Sequence, residues 1–263
     1  MNIITCIKQV PASSSVAVDE KTGVLIRSDK DVKMNPYDLF ALEASFLLKE
    51  RLKDRTVHAI TMGPPAAKSI LKEAIAMGAD RATLASDVRF AGADVLSTAY
   101  TLSRVIERIK DYDIVVCGKQ TTDGDTAQVG PEIAEFLVIP HVPYVKSFLE
   151  VRADGLRLLV NYDAYEEVVD VSFPCLLTID KDAFVPRLPS YRRRRALKEE
   201  AIATVGLAHF DDQNPDHYGL AGSPTQVEKI FPPDKKKVSV TIKGSARTVA
   251  RSMASILKEE KYI

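Results

Sequence analysis

Residues 118–131 read Gly-Lys-Gln-Thr-Thr-Asp-Gly-Asp-Thr-Ala-Gln-Val-Gly-Pro, and this stretch decides the predicted fold. The apolar run Asp113-Ile-Val-Val-Cys117 leads into it, and Glu132-Ile-Ala-Glu-Phe136 leads out with a helical pattern. The stretch is therefore a polar, glycine-containing loop between a buried strand and the start of a helix. Free backbone N–H groups and the positive end of a helix dipole meet at such a junction, which favours a phosphate.

The helix after this loop is predicted to begin at Asp125 as its N-cap, with Gln128 completing a capping box. Pro131 then falls within the first turns, which predicts a kinked or restarted helix. Asp123 and Asp125 are candidates either for binding ribose hydroxyls or for capping the turn and the helix. The loop is not a Walker motif, because Asp113 and Gln120 stand where that motif needs a glycine and a Ser or Thr.

Strand and helix patterns alternate on both sides of the loop. Strands are predicted at Ile3–Val10, Thr56–Met62, Arg81–Ala85 and Asp113–Cys117, and helices at Pro36 to about Leu52, after Pro65 to Ala76, and at Asp94–Ile109. This β-α alternation predicts a doubly wound, mostly parallel sheet with helices on both faces. Ligands of such sheets bind at the carboxyl ends of the strands, where the strand order reverses.

The loops that follow the predicted strands are expected to converge on one crevice. They are Lys8–Pro11, Met62–Pro65, Ser86–Ala93 and Gly118–Gln128. Asn35 is a good N-cap for the helix at Pro36, and it becomes a second phosphate or adenine contact only if it faces that crevice. Gly63 is interpreted first as a turn residue, and it would also let a cofactor ring approach the backbone closely.

The pattern changes after Pro140. Four consecutive strands at Tyr144–Val151, Leu156–Tyr162, Glu166–Ser172 and Cys175–Ile179 predict an antiparallel extension of the sheet. From Pro186 onward, prolines and the run Arg192–Arg195 predict an arm that lies on a partner, followed by a possible strand at Val238–Ile242 and a helix at Ser245–Lys258. The expected division is a nucleotide-binding α/β domain over residues 1–185 and a C-terminal arm and helix over residues 186–263.

Composition narrows the class of protein. Lys+Arg and Asp+Glu both number 36, which argues against a global nucleic-acid or anionic-membrane surface. Cys6, Cys117 and Cys175 lie in apolar runs, as buried thiols in a reducing cytosol would. No apolar run reaches membrane-spanning length, so we expect a cytoplasmic protein that neither enters a membrane nor binds nucleic acid.

The residues alone offer no catalytic constellation and no metal site. The four histidines lack metal-ligand spacing, and no Ser/His/Asp or Cys/His set can be assembled. The sequence therefore predicts an α/β nucleotide-binding protein with an arm for a partner and no evident machinery for bond-making chemistry of its own.

Several longer motifs resemble those of electron transfer flavoprotein β subunits, and they cover nearly the whole chain. They are residues 118–131, Ile7–Pro11, Met34–Asp38, Ala74–Asp80, Phe173–Thr178, Gly219–Thr225 and Phe231–Pro233. The resemblance implies a Rossmann-like fold of the adenine nucleotide α-hydrolase type. It also implies a heterodimer whose α subunit carries FAD on a mobile domain, while the β subunit holds a second nucleotide and contacts dehydrogenases. Whether the chain is itself an enzyme stays open, because NADH oxidation would occur only within the complex.

Two branches of this family differ in the second nucleotide. Conventional members hold a structural AMP, whereas electron-bifurcating members hold a second FAD. That FAD takes a hydride from NADH and sends one electron to a high-potential acceptor and the other to a low-potential ferredoxin or flavodoxin. Thr61–Pro65 and Phe90–Asp94 resemble the bifurcating branch, and the small residues there leave room for an isoalloxazine ring. FAD is therefore favoured, with AMP as the alternative.

The resemblance and the strand-end loops together define the predicted site. Its cofactor-binding residues are Cys6, Lys8, Asn35, Pro36, Tyr37, Asp38, Met62, Gly63, Gly118, Lys119, Gln120, Thr121, Thr122, Asp123, Gly124, Asp125, Thr126, Ala127, Gln128 and Val129. Lys8 and Lys119 are candidates for balancing phosphate charge. Phe90, Gly92 and Asp94 are predicted on the NAD side, and Leu188 matches the apolar residue that docks a flavin dehydrogenase of the acyl-CoA dehydrogenase or a related type.

Two other classes of nucleotide-binding protein share part of this pattern. A non-redox AMP- or ATP-binding module of the stress-protein type shares the sheet but lacks the long arm and needs no α subunit. An ATP-pyrophosphatase ligase would need a Ser-Gly-Gly loop after the first strand, where Lys8-Gln-Val-Pro-Ala12 stands instead. One departure from the flavoprotein pattern is Asn161–Tyr165, which replaces a glycine- or acid-rich turn in the hairpin.

Overall fold

The computed structural model describes residues 2–12, 17–18, 25–26, 32–198, 201–227 and 241–263. Two compact units are present, Met1–Glu228 and Lys229–Ile263. The first contains the sheet, and the described part of the second contains one helix. No helix among the described residues is both long and apolar enough to cross a bilayer.

The described strands alternate with helices along the first two thirds of the chain. In chain order they are β1 (Asn2–Cys6), β2 (Gln9–Pro11), β3 (Ala17–Val18), β4 (Leu25–Ile26), β5 (Val32–Met34), β6 (Thr56–Met62), β7 (Arg81–Ala85), β8 (Tyr112–Gly118), β9 (His141–Val151), β10 (Gly155–Asn161), β11 (Glu166–Ser172), β12 (Cys175–Ile179) and β13 (Ile202–Val205). The helices are α1 (Pro36–Leu52), α2 (Lys68–Met77), α3 (Val95–Ile109), α4 (Val129–Leu137), α5 (Tyr191–Ala196) and α6 (Ala246–Glu259).

Nine of the described strands form one sheet in the order β11-β10-β9-β12-β8-β1-β6-β7-β13. All neighbours from β9 to β13 run parallel, and only β9, β10 and β11 pair antiparallel. The chain moves from β1 outward through β6 and β7, and then returns to place β8 on the other side of β1. The strand order therefore reverses between β1 and β8, where a crevice forms in folds of this kind.

Two apolar layers cover the two faces of the sheet. On one face, Ile3 and Val57 pack with Leu42 and Leu71 from α1 and α2. On the other face, Ile4 and Val115 pack with side chains of α3 and α4, including Ile106 and Ile133. The doubly wound α/β fold predicted from the alternation of strands and helices is confirmed.

The prediction of four antiparallel strands after Pro140 is wrong for the last of them. β12 runs parallel between β8 and β9. All five of its residues are buried, as expected of a strand covered on both faces.

The first strand is also shorter than predicted. It ends at Cys6 because the Lys8 N–H donates to the carboxylate of Asp38 at 2.7 Å, and the chain then pairs Gln9–Pro11 with β5.

The chain after Pro186 contains more regular structure than its sequence indicated. α5 lies against α2, and β13 extends the sheet by pairing parallel to β7. Ala17–Val18 and Leu25–Ile26 pair antiparallel as β3 and β4, and the segment that connects them lies outside the described residues. The predicted strand at Val238–Ile242 falls mainly outside them, and Thr241 and Ile242 have no regular structure.

The last helix, α6, begins one residue after its predicted start. Ser245 is its N-cap, and the Ser245 hydroxyl accepts a hydrogen bond from the Thr248 N–H at 3.3 Å. Met253, Ile256 and Leu257 are exposed on this helix.

Candidate functional site

The carboxyl ends of β1 and β8 bring three distant segments together at the point where the strand order reverses. Cys6 and Cys117 are register partners there and lie buried side by side. Lys8 follows β1, and its ammonium group pairs with Asp123 of the loop after β8 at 2.8 Å. The start of α1 joins them through Asp38, which accepts from the Lys8 N–H. Of the four loops predicted to converge, those that follow β1 and β8 are therefore in contact here.

Asn35 connects the start of α1 to the loop at residues 118–129. It is fully buried, and its amide nitrogen donates to the Gln120 carbonyl and to Asp38 Oδ1, both at 2.9 Å. Its amide oxygen accepts from the Thr122 N–H at 3.3 Å. Asn35 occupies the predicted N-cap position of α1, but its side chain does not cap the helix, because these three groups use it.

Asp38 carries a buried carboxylate directly beneath the loop. Burial raises the pKa of Asp38 to about 7, although hydrogen bonds from Asn35 and the Lys8 N–H act in the opposite direction. Gly118 approaches this carboxylate so closely that a Cβ at Gly118 would lie 2.5 Å from Asp38 Oδ1 and 2.8 Å from the Tyr37 carbonyl carbon. The first residue of the loop must therefore be a glycine.

Both lysines predicted to balance phosphate charge lie at the strand ends. Burial alone would raise the pKa of Asp123, but the hydrogen bond and charge of Lys8 outweigh it and lower that pKa. Lys119 lies 3.2 Å from Asp180 and 4.4 Å from the centre of the Tyr144 ring. Lys8 therefore faces the loop, whereas Lys119 is turned toward the end of β12.

The predicted helix start at Asp125 is wrong. α4 begins at Val129 with Gln128 as its N-cap, and no side chain caps it. Asp125 instead has a φ of 55°, and its carboxylate accepts a hydrogen bond from the Gln120 side chain. Pro131 is the third residue of the helix, in the first turn, where its missing N–H costs nothing, so the predicted kink is not needed.

The loop and the start of α4 have two features of an anion site. Asp125 and Ala127 both adopt left-handed backbone conformations, a strain that proteins commonly keep at ligand sites. Val129 and Gly130 are the first residues of a helix without a side-chain cap, so their N–H groups are oriented for an anion. Gly130 also brings α4 close to β12, since a Cβ there would lie 2.6 Å from Thr178.

Glu132, in the first turn of α4, is unusual. Its Oε2 is buried and has no hydrogen-bond partner among the described residues. Burial and the nearby Asp94 carboxylate raise the pKa of Glu132. Glu132 is not among the predicted site residues, because a glutamate in the first turn of a helix is common and gives no sign of a binding site.

Met62 is the last residue of β6, and Gly63 follows it. The Gly63 N–H donates to the Ala85 carbonyl at 3.0 Å, which ties the end of β6 to the end of β7. A Cβ at Gly63 would lie 3.1 Å from Ala67, so the turn into α2 is tight. Met62 is partly buried against the α3–α4 core.

The three residues predicted on the NAD side follow β7. The Phe90 ring is 4% exposed and lies 5.8 Å from the Phe210 ring, so its side chain supports the loop from inside the core. Gly92 has a φ of +75°, which favours glycine. Asp94 is the N-cap of α3, and its other oxygen accepts from the Thr225 N–H and hydroxyl at 3.0 and 2.7 Å. Asp94 therefore binds the C-terminal segment at Thr225, a contact that was not predicted from the sequence.

Leu188 lies away from the strand ends and is 90% exposed. A cavity of about 550 Å³ lies nearby between α2 and α5, and Glu73, Pro189 and Arg194 are among the residues that line it. It shares no residue with the predicted cofactor site. The strand-end cluster, with its helix N-terminus and strained loop, is the better candidate for a nucleotide.

These features define a class: a doubly wound α/β protein with a polar loop and an uncapped helix N-terminus at the carboxyl ends of its central strands. Residues 22–208 match the model of the electron transfer flavoprotein domain. The chain is 43% identical over its full length to all of the electron transfer flavoprotein subunit beta of Clostridium acetobutylicum. It is 40% identical to the caffeyl-CoA reductase-Etf complex subunit CarD of Acetobacterium woodii, and 35% identical to the acryloyl-CoA reductase electron transfer subunit gamma of Anaerotignum propionicum, again with both chains fully covered. The chain belongs to the electron transfer flavoprotein β-subunit family.

Proposed function

We propose that this electron-transfer subunit binds FAD at the strand-end cluster and works with an α subunit in flavin-based electron bifurcation. The observation that carries the proposal is the loop at residues 118–129. Its backbone is left-handed at two positions, and Asn35 and Asp38 hold it against the start of α1. It leads into a helix whose first N–H groups are free of side-chain caps. That combination suits a diphosphate.

Residues of this chain would hold the nucleotide from several sides. The amides of residues 126–130 would bind phosphate oxygens, and Lys8 would add positive charge at the mouth of the site. FAD, when bound, supplies hydride acceptance from NADH and the transfer of single electrons. The chain contributes position and electrostatics, with Asn35 and Asp38 keeping the loop in place.

FAD is favoured over AMP by the small residues at the ends of β6 and β7. Gly63, Ala91, Gly92 and Ala93 all have small side chains, which would crowd a flavin ring less than larger ones, and AMP has no such ring. We propose that Gly92 and the backbone near Phe90 face NADH, with Asp94 holding the loop. Two similar proteins carry the names of CoA reductase complexes, which supports the same branch. The conventional β subunit with structural AMP is the second candidate.

The proposed partners are the family's α subunit, a flavin dehydrogenase of the acyl-CoA type, and ferredoxin or flavodoxin. Residues 186–263 are proposed to contact partner chains, and Leu188 to dock the dehydrogenase. The exposed apolar residues of α6, Met253, Ile256 and Leu257, support a covering partner. Family membership argues against the stress-protein module, which needs no second subunit.

A coupled assay tests bifurcation. The purified αβ complex, with its acyl-CoA dehydrogenase, is given NADH, an enoyl-CoA acceptor and oxidised ferredoxin, and ferredoxin absorbance is followed. We expect ferredoxin to be reduced only when both NADH and the enoyl-CoA are present. The favourable transfer of one electron to the enoyl-CoA would drive the unfavourable transfer of the other electron to ferredoxin. The control omits the enoyl-CoA. Complete transfer of electrons to the enoyl-CoA, with ferredoxin left oxidised, would instead support the conventional branch.

A further inference from the structure

The segment that carries Leu188 is fixed on its N-terminal side by Arg187. The Arg187 guanidinium donates to both oxygens of Glu43 in α1, at 2.9 and 2.8 Å, and the Arg187 N–H donates to Glu43 at 3.0 Å. The same guanidinium reaches Glu50 at 3.0 Å and lies 4.8 Å from the centre of the Phe46 ring. Paired, charge-assisted hydrogen bonds to a buried carboxylate fix both position and orientation.

A second arginine fixes the segment on its C-terminal side. Arg193 donates from Nε to the Ile75 carbonyl at 3.0 Å and from Nη2 to the Ala79 carbonyl at 2.8 Å. The Ser190 N–H donates to the Ala76 carbonyl at 2.8 Å. These carbonyls belong to the last turn of α2 and the residues just after it, where backbone acceptors lack helical partners and a cation is favoured.

The residues around and between these two anchors expose large apolar side chains. Val185 and Leu188 are 89% and 90% exposed, and Tyr191 is 77% exposed. A loop that exposes such residues while its backbone is fixed at both ends has lost most of its freedom before binding. A partner that docks on it therefore avoids the entropic cost of ordering the loop.

We propose that Arg187 and Arg193 are positioning residues that hold Leu188 in the conformation that docks the dehydrogenase. The proposal rests on the docking role of Leu188 given above. Within the run Arg192–Arg195, it gives Arg193 a separate role, because Arg193 binds backbone carbonyls of its own chain. The two anchors act through the loop and take no part in the electron-transfer chemistry.

The test uses Arg187→Met and Arg193→Met variants in the purified αβ complex, with a purified acyl-CoA dehydrogenase that the wild-type complex reduces. We expect each substitution to raise the KM for the dehydrogenase about five- to tenfold, because the loop must then be ordered on binding, with kcat nearly unchanged. Reduction of ferricyanide, a small acceptor that needs no docking, should not change. Arg157→Met is the matched control, since Arg157 forms an exposed ion pair with Asp170 on the β10–β11 pair.

Leu188→Ala separates this inference from the proposed docking role. If Leu188→Ala leaves the KM unchanged, Leu188 does not dock the dehydrogenase and both ideas are wrong. If Leu188→Ala raises the KM but both arginine variants behave like Arg157→Met, only the positioning role is overturned. If Arg187→Met does not assemble because it leaves Glu43 unpaired, Arg193→Met decides, since its side chain is exposed and can be removed without burying a charge.

Discussion

Replacing Gly118 with alanine is expected to remove the bound nucleotide from this subunit. The new Cβ would lie 2.5 Å from Asp38 Oδ1 and 2.8 Å from the Tyr37 carbonyl carbon, closer than real Cβ contacts. Part of the overlap is with backbone, which cannot rotate away as the end of a flexible side chain can. The loop at residues 118–129 must then lift from α1 and lose the alignment of its amides.

The stability of the chain should fall as well. Forcing an extra methyl group into a closely packed site costs about 1–3 kcal/mol, so we expect a loss of about 2 kcal/mol in the free energy of unfolding. The sheet keeps its core, because the overlap is confined to the loop and the start of α1. Urea unfolding of the purified chain and the nucleotide content of the αβ complex measure the two effects.

Gly124→Ala is the matched control within the same loop. A Cβ at Gly124 would meet only the Thr121 hydroxyl, at 3.5 Å, which is an ordinary contact. Gly124 is itself a predicted cofactor-binding residue, but alanine keeps its backbone N–H, so this variant should keep its nucleotide and change the free energy of unfolding by no more than about 0.5 kcal/mol. Equal nucleotide content in the Gly118 and Gly124 variants would show that the close approach of Gly118 to α1 is unrelated to binding.

Replacing Asn35 with alanine is expected to have the largest effect on stability. Asn35 is fully buried and makes three hydrogen bonds, two of them to the loop at residues 118–129. Alanine leaves the Gln120 carbonyl, the Thr122 N–H and one oxygen of Asp38 without this partner. Thr122 is exposed and can bind water, but the Asp38 oxygen is buried and Gln120 is half-buried. Each buried group left unpaired costs about 1–3 kcal/mol, so a loss of about 4 kcal/mol is expected, together with loss of the nucleotide.

Asn214→Ala provides the comparison for that variant. Asn214 is exposed, and its side chain caps a short helical turn by accepting from the Asp216 N–H at 3.2 Å. Loss of such a cap costs about 1 kcal/mol and should leave nucleotide content unchanged. If Asn35→Ala destabilises the chain no more than Asn214→Ala does, Asn35 does not hold the loop to α1.

The sheet was predictable because its signals are local. Apolar runs such as Asp113–Cys117, alternating with helical patterns, are enough to predict parallel strands and to place the loops at one edge. The position of β12 between β8 and β9 was harder to predict from the sequence, because its apolar run fits a parallel or an antiparallel strand equally well. β13 is four residues long and half exposed, which is too weak a pattern to distinguish from a loop.

The contacts among the predicted site residues could not be derived from local sequence patterns. Asn35 and Gln120 are 85 residues apart, and Arg187 and Glu43 are 144 residues apart, so no local pattern links them. Asp125 was misassigned because an Asp followed three residues later by Gln fits a capping box in sequence. Its left-handed backbone, which depends on the surrounding loop, instead turns the carboxylate toward Gln120.

The central claim is that the strand-end cluster binds a flavin dinucleotide. The most direct measurement releases the cofactors of the purified αβ complex by heat and quantifies them by chromatography and absorbance. Two FAD molecules and no AMP per heterodimer are predicted, with one FAD lost in the Gly118→Ala complex. One FAD and one AMP per heterodimer would contradict the claim.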